Sequence, residues 1–130
     1  MSSFTSQLKV EPLPDGRRWK LLEEFDYYLG DLDSGMYIRV PAGFITDFAS
    51  VPRLFWGILP PWGRYGKPAV LHDYLYQSQK FIRVLCDAIF YEAMCVLGVS
   101  WWKRWLLYLG VRIGGWVAYR RYGRCKNERD

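Results

Sequence analysis

The stretch Pro68-Ala69-Val70-Leu71-His72-Asp73-Tyr74-Leu75-Tyr76-Gln77-Ser78-Gln79 divides this chain into its two halves. Pro68 suits the first turn of a helix, where its missing N–H costs nothing. The run behind it has no breaker, so a helix to about Gln79 is expected. On that helix His72 and Tyr76 stand one turn apart and share a face, and Asp73 lies about 100° round.

Downstream of this stretch the chain reads as helix. A helix over roughly Phe81 to Leu97 would show Ile82, Leu85, Cys86, Ile89, Ala93 and Val96 on one face. Gly98 breaks it, and Ser100 can cap a last helix from Trp101 to about Tyr122. Upstream the chain reads as strand. Gln7 to Glu11 alternates, and Pro12-Leu13-Pro14-Asp15-Gly16 supplies a turn. Trp19 and Leu21, then Phe25, Tyr27 and Leu29, mark inward positions with an irregularity between the two sets. A second turn at Asp31-Leu32-Asp33-Ser34-Gly35 leads to Met36, Ile38 and Val40, which alternate with Tyr37 and Arg39 until Pro41. Between the halves, Pro52 can start a short helix ending near Gly57, and Leu59-Pro60-Pro61-Trp62-Gly63 is a rigid connector. The expected fold is α+β: a small N-terminal antiparallel sheet of three or four strands followed by a cluster of three main helices. Residues 1–123 would form a single domain and 124–130 a disordered basic tail.

Composition narrows the class. Of 130 residues, 51% are hydrophobic and 18% aromatic, with seven tryptophans and ten tyrosines, so large rings must fill the core or cover a surface. The net charge is +5, and it is unevenly placed. Residues 101–130 carry eight Lys/Arg against two Asp/Glu, which points to an anionic partner or a solvated tail. Three cysteines without CxxC spacing argue against a disulfide framework or zinc knuckle. No signal peptide is visible. The apolar window Trp105 to Tyr119 is interrupted by Arg112 and is short for a membrane span of ~20 residues. The expected location is the cytoplasm of a bacterial host or a virion.

His72 is the single histidine of the chain, which excludes multi-histidine zinc and iron sites built within one chain. It is followed by Asp73, and Asp87 lies on the next expected helix. If the two helices run antiparallel, Asp87 can approach His72 or Tyr76. A carboxylate on one ring nitrogen holds the tautomer that makes the other a base. Asp73, pointing elsewhere, could take a calcium ion together with backbone carbonyls. Thr46, Asp47 and Ser50 sit among apolar residues on a strand-to-helix corner. Asp47 or Ser50 could cap the helix at Pro52, and capping is the favoured role. They could equally face His72, with Asp47 orienting the ring or binding metal. A Ser50–His72–Asp triad is disfavoured because Ser50 lacks the Gly-x-Ser-x-Gly elbow. The competing reading of the whole cluster is a core histidine bonded to Asp87 or Asp47, with Asp73 in a local salt bridge.

The pattern His-Asp-x-x-Tyr on one helix with an Asp on the next resembles the active-site helices of secreted phospholipases of the A-two type and of the phospholipase domain of parvovirus capsids. The resemblance implies His72 as the base that deprotonates water, Asp87 as its partner, Asp73 as a calcium ligand and Tyr76 as a structural hydroxyl. Trp62-Gly63-Arg64-Tyr65-Gly66 lies where those enzymes carry a calcium loop but copies it poorly, and their cysteine staples are missing. A second resemblance covers about residues 17 to 120. The string Gly43-Phe44-Ile45-Thr46-Asp47-Phe48-Ala49-Ser50-Val51-Pro52, followed by the His72 segment and Asp87, is similar to a family of small phage and prophage proteins of unknown function. That resemblance implies a phage or prophage origin and no particular activity.

Two classes therefore compete: a phospholipase-like hydrolase, and a non-enzymatic virion, tail or lysis-cassette accessory protein. In the last helix, Trp101, Trp105, Leu109, Ile113 and Trp116 form one stripe that reads first as core. Gly110, Gly114 and Gly115 would permit close helix contact at a cost in propensity. The second reading is a phospholipid membrane surface served by Trp102, Tyr108, Tyr119 and the basic residues. Nucleic acid ranks third, because no base-reading motif accompanies them. A phage or host protein remains the partner of the second class, and the sequence leaves the oligomeric state open.

Overall fold

The computed structural model describes residues 3–4, 8–16, 18–29, 36–46 and 66–129, with side chains from residue 8 onward except 122 and 124–129. The chain divides into two compact units, Met1–Asp47 and Phe48–Asp130. Among the described residues the first holds antiparallel strands and the second three helices, so the α+β expectation holds.

Strands are short in the first unit and form two three-stranded sheets rather than one. β1 (Ser3–Phe4), β4 (Phe25–Tyr28) and β5 (Tyr37–Val40) make the first, in the order β1-β4-β5. β2 (Val10–Pro12), β3 (Trp19–Leu21) and β6 (Ile45–Thr46) make the second, in the order β2-β3-β6. The irregularity expected between Leu21 and Phe25 is where the chain leaves one sheet for the other, and there the Leu22 N–H donates to the Lys9 carbonyl at 2.9 Å. Period-two alternation buries Phe25 and Tyr27, then Ile38 and Val40, as read from the sequence. Met36 departs from that reading: it precedes β5 and is exposed. Asp26 is buried too, because Arg39 stands opposite it on β5 and donates to both carboxylate oxygens. Gly43 has φ +87°, a left-handed angle that suits glycine, and its N–H donates to the Leu21 carbonyl at 2.7 Å.

The second unit contains α1 (Gly66–Ser78), α2 (Arg83–Val96) and α3 (Trp101–Arg129), and α3 runs past the expected stop near Tyr122. α1 opens with Pro68 in its first turn, as expected. Gln79 follows α1 with φ 58°, and its side-chain amide donates to the carbonyls of Tyr76 and Tyr119. Gly98 (φ 76°) ends α2 in a left-handed cap: the Val99 N–H reaches the Met94 carbonyl at 3.0 Å and the Gly98 N–H the Cys95 carbonyl at 3.1 Å. This pair of bonds satisfies carbonyls that a bare helix end would leave open.

Two helix faces differ from the sequence reading. On α2 the buried residues are Cys86, Asp87, Ile89, Phe90, Ala93 and Met94, while Ile82 and Leu85 are exposed. The face is turned by roughly 70° from the apolar stripe, because α2 packs against both α1 and α3 and brings Asp87 inward. On α3 the expected core stripe is the exposed one: Trp101, Trp105, Leu109, Ile113 and Trp116 all lie at the surface. Leu107, Gly110, Val111, Gly115 and Ala118 are buried in their place. Size explains the choice. A Cβ on Gly115 would come within 2.7 Å of the Tyr76 hydroxyl, so only a narrow face lets α3 come this close to α1.

Candidate functional site

α1 and α2 meet in residue pairs that descend along one helix as they climb the other. Tyr76 meets Arg83, and His72 meets Asp87, so the two helices run antiparallel as the sequence reading required. His72 Nε2 is 2.6 Å from Asp87 Oδ1. The Tyr76 hydroxyl donates to that same oxygen at 2.6 Å. Arg112, from α3, donates to Asp87 Oδ2 at 2.8 Å. Arg83, one turn before Asp87 on α2, stands 3.7 Å from Oδ2 and donates its Nε to the Tyr76 hydroxyl at 3.3 Å. Its other donors reach the carbonyls of Val111, at 3.0 Å, and Arg112. One carboxylate thus ties together all three helices.

Rings complete the surroundings. The imidazole lies 4.2 Å from the Tyr76 ring and 4.7 Å from that of Phe90, centroid to centroid. Tyr119 meets Tyr76 edge-on at 5.2 Å and donates its hydroxyl to the Phe81 carbonyl. His72, Asp73, Asp87 and Tyr76 have no exposed surface.

Electrostatics follow from this packing. Burial by itself would raise the pKa of Asp87. The hydrogen bonds and charge of His72, with those from Tyr76 and Arg112, outweigh burial and hold it below the usual carboxylate value. The Tyr76 phenol is pushed well above its ordinary range by burial first and by the Asp87 carboxylate second. Asp87 also raises Arg112 through their hydrogen bond. The cluster therefore holds an ionised carboxylate, a neutral phenol and guanidinium groups around the imidazole, with His72 Nε2 committed to Asp87.

The sequence-predicted residues fall into three groups. His72, Tyr76 and Asp87 are brought together as expected. Asp73 is buried beside them on α1, and its Oδ2 accepts from the Gln77 amide at 3.0 Å. Calcium takes six to eight oxygen ligands. Of these the described residues show one carboxylate, Asp73, and among them no group of three or more His, Cys, Asp or Glu could hold a metal. Thr46 is buried at the end of β6, opposite Trp19. Asp47 and Ser50 lie outside the described residues, as do the short helix at Pro52, the connector after it and the turn at Asp31.

Sequence reasoning missed Arg83, Arg112 and Phe90 at the site; it expected close helix contact at Gly115 but not Tyr76 as the neighbour. Arg83 had a signal, since it precedes Asp87 by one helical turn, the spacing of an ion pair. Arg112 had another, as the charge that interrupts the apolar window of the last helix.

An antiparallel β unit joined to a three-helix unit, with a buried His-Asp pair between the first two helices, defines a small α+β protein with a histidine–aspartate core. Residues 19–111 match the family described as Protein of unknown function (DUF1353), and the chain belongs to that family. It is similar to "Uncharacterized protein y4jT" of Sinorhizobium fredii, with 32% identity over 99 residues. The match covers 75% of this chain but 29% of that relative, so the chain spans less than a third of its length. No solved structure matches. No helix among the described residues is long and apolar enough to cross a membrane.

Proposed function

We propose that this chain is a small hydrolase of the phospholipase kind, encoded by a phage or prophage, in which His72 activates water. The supporting observation is the bond of His72 Nε2 to Asp87 Oδ1 at 2.6 Å, with the Tyr76 hydroxyl on the same oxygen. In this reading the bond to Asp87 orients the ring, and the proton chemistry would fall to its other nitrogen, Nδ1. In ester hydrolysis, Nδ1 takes a proton from water as the water oxygen bonds to the acyl carbon. It returns the proton to the leaving alkoxide as the ester C–O bond breaks. Asp87 stays ionised throughout, held low by His72, Tyr76 and Arg112, and so stabilises the imidazolium formed in between. A calcium ion on Asp73 would need its remaining oxygen ligands from outside the described residues, and when bound it would place positive charge near the developing oxyanion. The enzyme would work in the cytoplasm of a bacterial host or in a virion, on the ester of a phospholipid.

The complete burial of His72 favours a second reading, in which the cluster is a folding device and the protein a non-enzymatic phage component. The deciding experiment follows fatty-acid release from mixed phospholipid micelles with and without calcium, alongside calcium titration calorimetry. Release abolished by His72→Gln, with calcium binding lost in Asp73→Asn, is the expected result. Absence of both release and binding, with the variants merely destabilised, would establish the folding device instead.

A further inference from the structure

α3 turns its large rings outward. With 100° between successive residues, Trp101, Trp102, Trp105, Leu109, Ile113 and Trp116 fall within an arc of roughly 120° on its exposed side. Ile113, in the middle of the helix, is 75% exposed. A contiguous apolar face of this kind on a protein surface marks an interaction site. Its charges are of one sign. Lys103 lies 5.6 Å over the Trp102 ring, Arg120 lies 5.7 Å over the Trp116 ring, and Arg121 is exposed beside it. No acidic residue occurs from Trp101 to Asn127.

The geometry points to a docking face for an anionic lipid surface, with the tryptophans seated at headgroup level and Lys103, Arg120 and Arg121 on the phosphates. Tryptophan is the residue that favours this depth, because its ring is apolar and its N–H can bond to headgroups or water. A basic polar edge beside an aromatic and aliphatic face is the pattern of a helix that lies in the interface plane. Charge decides against a second copy as occupant. Two such faces packed together would bring the cations of one copy, Lys103, Arg120 and Arg121, near those of the other, and residues 101–127 offer no carboxylate to meet them. Two further arginines of the helix are directed elsewhere: Arg112 is bonded to Asp87, and Arg104 to Tyr91 and the Val99 carbonyl. This face is distinct from the His72 cluster, and the inference stands whether or not His72 is catalytic.

The test uses the full chain and vesicles of dialkyl-ether phosphatidylglycerol and phosphatidylcholine. These lipids contain no acyl ester, so binding is read apart from hydrolysis. Sedimentation and the shift of tryptophan emission should show binding to phosphatidylglycerol-rich vesicles at low salt, weakened by added salt. Ile113→Asp should lower the partition coefficient at least about tenfold. The triple variant Lys103→Glu, Arg120→Glu, Arg121→Glu should lower it on the order of 100-fold and remove the salt dependence. All four positions are at or near the surface, and an unchanged urea midpoint would certify the fold of each variant. Failure of the wild-type chain to bind either vesicle would overturn the inference, as would equal binding by the folded variants. A concentration-dependent dimer that Ile113→Asp splits, in a chain that ignores vesicles, would assign the face to a second copy.

Discussion

Asp26 and Asp87 are both buried carboxylates bonded to arginine, yet they serve different ends. Asp26 sits on β4 directly opposite Arg39 on β5, and the guanidinium donates to its two oxygens at 2.8 and 3.0 Å. One partner thus engages both oxygens, and the pair works as a cross-strand clasp at the edge of solvent. Asp87 divides its oxygens instead. One goes to Arg112, and the other is shared by an imidazole and a phenol. A carboxylate that needed only neutralising could have been given a second arginine donor on each oxygen. The arrangement around Asp87 fixes the position of a titratable ring, and that separates a candidate site from a structural ion pair.

The largest test of this contrast is Asp87→Asn. Removing the charge leaves Arg112 and the nearby Arg83 without their carboxylate, and a single amide oxygen to serve donors that had two oxygens. Breaking a buried pair from one side costs about 3–5 kcal/mol, to be read from urea unfolding. The acid side supplies the sign. The folded pKa of Asp87 lies below its unfolded value, so its contribution is fully present above the ordinary carboxylate range and disappears as pH falls through the depressed value. Urea midpoints between pH 6 and pH 2 should therefore fall less steeply in Asp87→Asn than in wild type. Parallel curves would mean that Asp87 is no better stabilised when folded than when unfolded, and the contrast with an ordinary clasp would collapse.

Gly115→Ala sharpens the same contrast from the third helix. The new methyl would meet the Tyr76 hydroxyl at 2.7 Å and push on the group that shares Oδ1 with His72. Overpacking of this kind costs about 1–3 kcal/mol, partly offset by a gain of about 1 kcal/mol in helix propensity. In a Tyr76→Phe background the clash is relieved, so the added cost of the alanine should shrink. A cost that stays the same in both backgrounds would show that Gly115 matters for something other than the approach to Tyr76.

Arg39→Ala belongs at the mild end. Its guanidinium is half-exposed, so water can take over part of what Asp26 loses. The urea midpoint should drop less than in Asp87→Asn, and added salt should narrow the gap from wild type. A loss as large as that of Asp87→Asn would erase the distinction between the two carboxylates.

Much of this was legible in the sequence, for identifiable reasons. Strict alternation at Phe25, Tyr27, Ile38 and Val40 marks one buried face of a sheet, and the next helix offers Asp87 to the lone histidine, with Asp47 as the other candidate. The orientation of α3 was not legible. Periodicity shows that Trp101, Trp105, Leu109, Ile113 and Trp116 share a stripe, but not whether protein or something else covers it. Gly115 held the answer, since a glycine fits against Tyr76 and a tryptophan does not. The turn of α2 was hidden for a related reason. An aspartate carries no apolar signal, yet Asp87 with its partners His72, Tyr76 and Arg112 draws the helix inward by its polar side. The split into two sheets turns on Leu22 and Glu23, where nothing in the residue types marks a change of partner strand.

Cys86 gives the finest test, because it adjoins Asp87 and reports on whether the cluster opens. Burial first, and the Asp87 charge second, push its thiol up to about 12, whereas Cys95 is exposed. In a Cys95→Ser, Cys125→Ser background, a disulfide reagent at pH 8 should label folded Cys86 on the order of 1000-fold more slowly than the unfolded chain, since the thiolate is what reacts. The dependence on urea then separates two kinds of opening. Labelling that accelerates with the full unfolding slope requires the whole helical unit to come apart, which leaves His72 no native route to water and supports the folding-device reading. Labelling that is nearly independent of urea reports a local opening of the α1–α2 seam. Such an opening is the motion a buried base needs, and in Asp87→Asn it should become more frequent, because the carboxylate is what holds the three helices closed.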